Sequence, residues 1–200
     1  MPLLLSKKID ESAAYAVWKI SETNSQLQAL HDEEASQDYH RNKIGEWLAT
    51  RILIKLLCQK FGIGYHGIKK DENGKPFLID SKAQISLSHS FPVASAMLHT
   101  SKPCGIDVEW PRQKMQRIQD KFLNPVESKY RGDLTALCTI WAAKEAIYKR
   151  YGKRNLSLKD HILIDLQEDS ISGQILKKNE ITDVPLSMEK LKQYILVYSR

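Results

Sequence analysis

The sequence predicts an α+β protein built as two pseudo-symmetric halves, each a long helix packed on a small, mostly antiparallel sheet. Three observations carry this prediction. Apolar residues recur at helical spacing over residues 40–61 (Ile44, Trp47, Leu48, Ile54, Leu57, Cys58 and Phe61) and again over about 134–151 (Leu134, Leu137, Cys138, Trp141 and Tyr148). A glycine-lysine pair follows each helix, Gly74-Lys75 and Gly152-Lys153. Short strand-like runs then complete each half.

Taken in order, residues 12–20 read as a strand and 40–61 as the first long helix. Lys69 to Ile79 reads as a hairpin, with Asn73-Gly74 suiting a tight turn that needs positive φ at both central residues. Strands are expected at 83–88, 93–99 and 104–109. Asn124-Pro125-Val126-Glu127 opens a short helix, with proline at a first-turn position. The second long helix ends near Gly152, and strands follow near 161–166, 171–177 and 192–198. The expected division is 1–102 and 103–200. A single undivided α+β domain stays open, because identity between the halves is slight.

The 200 residues are 42% hydrophobic and 27% charged, which is ordinary globular usage. No apolar run approaches the length of a membrane span. Residues Met1 to Lys8 hold too short an apolar stretch for a secretory signal. Cys58, Cys104 and Cys138 are odd in number and form no CxxC, so reduced thiols in a cytoplasmic protein are expected, without a zinc site. The formal net charge of +6 favours acidic partners: nucleic acid, a phosphate-rich cofactor or an acidic protein. Lysine and arginine are spread along the chain, and no run reads as a nucleic-acid tail.

Gly105-Ile106-Asp107-Val108-Glu109-Trp110 is the most informative stretch. Strand side chains alternate, so Asp107 and Glu109 share one face, with Ile106 and Val108 expected in the core. Two such acids repel unless a cation lies between them, and oxygen ligands with sites left for phosphate suit Mg²⁺. Alone, the pair is more often a solvated strand face. In Trp141-Ala142-Ala143-Lys144-Glu145-Ala146-Ile147-Tyr148-Lys149, however, Glu145 falls on the apolar stripe between Trp141 and Tyr148. A carboxylate there is costly unless something pairs with it, and a metal with Lys149 one turn away would do so. A plain Glu145–Lys149 surface pair is the bland reading.

GIDVE followed by WAAKEAIYK resembles the paired signature of the 4′-phosphopantetheinyl transferases, of the type that activates surfactin synthetase. Ser86-Leu87-Ser88-His89-Ser90 and Gly74-Lys75-Pro76 are similar to two further elements of that family. The resemblance runs from about residue 40 to 150. It implies the transferase fold, with the first half supplying contacts to the nucleotide end of coenzyme A and the second half the metal site and catalytic helix. It implies Mg²⁺ on Asp107, Glu109 and Glu145, with Glu145 as general base and Lys149 on the phosphates. Arg51, Lys75, Pro76, Ser88 and His89 would hold coenzyme A, and Lys144 would support them. Arg41 and Lys43 are alternatives to Arg51, because the helix register is open. The implied partner is an apo acyl or peptidyl carrier protein, and the implied state a monomer that engages neither nucleic acid nor membrane. A nucleic-acid-binding module or a Mg²⁺-dependent nucleotide hydrolase would answer to the same charge and acids.

Overall fold

The computed structural model describes residues 3–36, 38–168, 170–178 and 180–200. The chain divides into two compact units, Met1–Cys104 and Gly105–Arg200. Among the described residues no helix is long and apolar enough to cross a membrane.

In the first unit the elements are β1 (Leu3–Lys8), β2 (Ala13–Lys19), α1 (Asn24–Gln28), α2 (Arg41–Lys60), β3 (Ile68–Lys70), β4 (Pro76–Leu78), β5 (Gln84–Ser90) and β6 (Val93–His99). The strands form one antiparallel sheet in the order β1-β2-β6-β5-β4-β3. Helix α2 starts where the His40 side chain accepts the Lys43 backbone N–H. It buries Leu48, Leu53 and Leu57 against Ala16, Ala96 and Ile85 of the sheet. The β3–β4 connection differs from the tight turn expected at Asn73-Gly74. Only Gly74 takes positive φ (87°). Gly74 N bonds to Asp71 O, and Asp71 N to Lys75 O. The Asp71 carboxylate also accepts the Asn73 and Lys75 backbone N–H groups. That side chain organises the longer loop, so one left-handed residue suffices.

The second unit runs β7 (Ile106–Glu109), α3 (Gln113–Ile118), 3₁₀ turns at Gln119–Lys121 and Pro125–Tyr130, α4 (Leu134–Tyr151), β8 (Ile162–Leu166), β9 (Ile171–Lys177), β10 (Glu180–Leu191) and β11 (Tyr194–Ser199). Its antiparallel sheet has the order β7-β11-β10-β9-β8. Helix α4 is capped by the Asp133 carboxylate and ends at Gly152 in the left-handed conformation. The segment after Asn124 forms a 3₁₀ turn with a capping box to Glu127. Strand β10 was not legible in the sequence, because Pro185 cannot donate to a ladder. The structure accommodates it at a changeover: residues 180–185 pair with β9 and residues 186–191 with β11.

Gly105 sets how closely α4 lies on β7. A Cβ at Gly105 would sit 1.9 Å from the Ala146 carbonyl oxygen and 2.8 Å from Arg150 N. Gly105 is also pinned from the sheet side, its N–H donating to Ser199 Oγ and its carbonyl accepting Ser199 N–H. Gly105→Ala should therefore cost about 3 kcal/mol, the upper end of overpacking penalties, because backbone rather than a flexible side chain must yield. A Cβ at Gly74 meets nothing within 4 Å, so Gly74→Ala should cost only the left-handed strain, about 1–2 kcal/mol. Urea denaturation midpoints of the two variants check the difference; equal losses would show that helix approach is not set at Gly105.

Candidate active site

The second unit brings its acids together on the helix side of the sheet. Asp107 lies opposite Val197 and Glu109 opposite Ile195, and directly paired residues share a face. Val197 and Ile195 belong to the core under α4, so Asp107 and Glu109 face α4. Ile106 and Val108 are fully buried, as expected. They line the opposite face, which is buried as well. Cys138, Ala142, Glu145 and Lys149 recur at spacings of four, three and four along α4, which is one stripe of a helix. Lys149 Nζ donates to Asp107 Oδ1 at 2.6 Å. Burial, then the charges of Glu109 and Asp107, push the Cys138 thiol up to about 12.

Asp107 is 4% exposed, and a carboxylate so placed must be paired. Lys149 pairs with it, while Arg112 Nη2 meets Glu109 Oε2 at 3.0 Å. Burial pushes the Glu145 carboxyl up and Lys149 pulls it down; Asp107 and then Glu109 push it up again, leaving it above the usual carboxylate range. Among the described residues no three His, Cys, Asp or Glu side chains are grouped as they would be around a metal ion. The three-acid cage expected from the sequence is thus not preformed. Lys149 and Arg112 supply the positive charge in its place. The donor set still suits a hard divalent cation: three carboxylates lie in one another's field, and the third is penalised by its two neighbours.

In the first unit His89 projects from β5 towards α2. Its Nδ1 faces Glu46 Oε1 at 3.1 Å and its Nε2 faces Lys43 Nζ at 3.0 Å. With Nδ1–H donated to the carboxylate, Nε2 accepts from the ammonium. Burial pushes the Glu46 carboxyl up, but the hydrogen bond and charge of His89, followed by Lys43, outweigh it and hold it low. Sequence reasoning missed Glu46 and Arg112. The spacing of Lys43 and Glu46 on one helix face, and of Glu109 and Arg112 three residues apart, was the available signal.

Several expected ligands are placed elsewhere. Arg51 lies about 140° around α2 from Glu46. Its guanidinium stacks on Trp47 at 3.5 Å and faces Glu33 at 3.6 Å. Lys43 is therefore the α2 cation beside His89, and Arg41 instead lines a cavity of about 260 Å³ with Ser21, Glu22, Asn24 and Phe91. Ser88 pairs with Ser95 while His89 pairs with Ala94. Strand alternation puts Ser88 and His89 on opposite faces, so they do not form one grip. Lys75 and Pro76 lie where the loop enters β4.

Lys144 is corrected outright as a cofactor ligand. Its side chain is fully buried, and Nζ donates to Glu127 Oε2 and to the carbonyls of Phe122, Leu158 and Ile162 at 2.6–3.0 Å. An ammonium with that many acceptors has no hydrogen left for a ligand. It pins α4 to the loops before and after it.

No curated protein matches the chain. Among solved structures, a holo-ACP-synthase from Plasmodium yoelii is 23% identical, covering 48% of this chain and 91% of that chain, with a TM-score of 0.39. Residues 103–198, the stretch that carries Asp107, Glu109, Glu145 and Lys149, match the family model of the 4′-phosphopantetheinyl transferase superfamily.

Proposed function

We propose that the protein transfers the 4′-phosphopantetheine arm of coenzyme A to a serine of an apo carrier protein, as the surfactin-synthetase-activating transferases do, releasing 3′,5′-ADP. One observation carries the reading. Two acids of a single edge strand and the Glu145–Lys149 pair of α4 lie in one another's field, within the residues that match the superfamily model.

The chain's own groups have distinct tasks in this reaction. Glu145 takes the proton from the serine hydroxyl as its oxygen attacks the β-phosphorus, and the bond from that phosphorus to the bridging oxygen of the leaving 3′,5′-ADP breaks. Lys149 offers a point charge to the phosphate oxygens. Lys43 donates to the 3′-phosphate, and His89, oriented by Glu46, joins it there by donating from Nε2 when the ring carries its second proton; Lys75 lies on a loop of the same unit. Asp107, Glu109 and Glu145 would hold Mg²⁺, which neutralises the diphosphate when bound. The net charge of +6 suits an acidic carrier, and we assign the active form as a monomer.

Three outcomes test this. Asp107→Ala should lower transfer of a labelled pantetheine arm by about 10²–10³-fold, as loss of a charge-stabilising group does, with the fold intact by circular dichroism. Undiminished transfer would remove Asp107 from the site. His89→Ala or Lys43→Ala should raise KM for coenzyme A about tenfold, the worth of one charge-assisted bond. KM for dephospho-coenzyme A should barely move, and equal effects on both substrates would dismiss the 3′-phosphate contact. The raised Glu145 carboxyl stays protonated to higher pH, so the base form is lost as pH falls through that raised value. Protonation of Glu145 should then set the acid limb of kcat/KM. Glu145→Gln should remove that limb and cost about 10²–10⁴-fold; survival of the limb would place the base elsewhere.

A further inference from the structure

The loop that joins α1 to α2 closes on a histidine. Trp47, Arg51 and Lys55 recur at intervals of four along α2, one stripe of the helix. Lys55 meets Asp32 of the loop at 3.0 Å, and Arg51 faces Glu33. Beside them the His31 side chain is 1% exposed, set edge-on to the rings of Trp47 and Tyr65. Both of its ring nitrogens are engaged. Nδ1 accepts the Glu33 backbone N–H at 3.1 Å, which leaves Nε2 to carry the proton and donate to the Tyr65 hydroxyl at 3.1 Å. The phenol in turn donates to the Glu33 carboxylate. Only a neutral imidazole fits this run, because a second proton would sit on Nδ1, opposite an N–H.

We propose that His31 is the pin of an acid-sensitive latch: on taking up a proton the ring gives up the Glu33 N–H, and loop residues 31–36 let go of α2. The charged or titratable groups facing the ring are Glu33 and Asp32 from its own loop, Arg51 and Lys55 from α2, and Tyr65 from the segment after α2. From α1 comes Gln28, uncharged, which donates to the His31 and Glu33 carbonyls. Burial holds the imidazole below its usual range; Glu33 opposes this, and Lys55 and Arg51 add to it. Burial and the bond to Glu33 push the Tyr65 phenol far up, so it remains a donor. The open loop takes up a proton at about 6.5, the ordinary histidine value, and the closed loop only at lower pH. Closure is therefore at full strength above that value and weakens as pH falls below it, by at most about tenfold per pH unit for one proton. None of these groups takes part in the transfer proposed above, so the latch stands or falls apart from it.

Amide hydrogen exchange of the full chain, corrected for the intrinsic rate, tests this at about pH 7.5 and about pH 5.5, either side of the ordinary histidine value. Protection of the Glu33 amide should fall at least about threefold over that interval, within what one proton allows. The Leu53 amide in the middle of α2 should keep its protection. His31→Asn retains an acceptor two residues before the Glu33 N–H and cannot titrate, so it should flatten the dependence at Glu33. A further readout needs no variant: the His31 ring carbon resonances of the wild-type protein should titrate below about 6.5. A Glu33 amide equally protected at both pH values overturns the latch, as does one without protection at the higher pH. An equal loss at Leu53, or a His31 ring that titrates at or above the ordinary value, overturns it too. Persistence of the dependence in His31→Asn places the titrating group elsewhere and has the same result.

Discussion

The contact between Asp107 and Lys149 ties an edge strand to the helix that covers it, and the rest of the candidate site depends on it. Strand β7 presents its acids to the same side as the apolar residues of β11, where an unpaired charge costs several kcal/mol. The lysine ammonium at 2.6 Å offsets that cost. It is within reach only because the residue two before the aspartate is a glycine. With no side chain at Gly105, the carbonyl of Ala146 comes within what would be overlap distance of a Cβ. The GIDVE motif therefore combines two requirements: close approach of backbone to helix, and acids placed where that approach leads.

Two lysines flank Glu145 on α4 and meet opposite fates. Lys144 is fully enclosed, and its four acceptors are the buried Glu127, the loop carbonyls of Phe122 and Leu158 on either side of the helix, and the Ile162 carbonyl at the start of β8. Glu127 is itself held by the backbone N–H groups of Asn124 and Ile164. Removing one member of so enclosed a pair typically costs about 3–5 kcal/mol, so Lys144 is a fixed anchor. Lys149 has one carboxylate and a long contact to a carbonyl, and it remains partly exposed. The helix is held by the first lysine and left able to act through the second.

The first unit uses a related device. Glu46 is buried on α2, His89 reaches it from β5, and Lys43 closes the row from the next helical turn back. In both units an acid lies inside and a cation outside.

Periodicity along the chain was enough to place both long helices, most strands and the acid pair, because spacing alone decides which residues share a face of one element. Capping residues such as Asp133 and Gly152 are equally local, so the limits of α4 were legible too. Which element covers which face is not local. Arg51 and Lys43 lie on the same helix, and only the packing of α2 on β5 puts Lys43 beside His89 and leaves Arg51 stacked on Trp47. Lys144 carries the same motif position in any register, yet its burial among carbonyls from residues 122, 158 and 162 depends on loops brought in from either side. The pairing of Asp107 and Glu109 with Lys149 and Arg112, in place of a preformed metal cage, likewise arises from contacts that tertiary structure alone creates. Side-chain partners more than a few residues apart are chosen by packing, and sequence spacing carries no record of that choice.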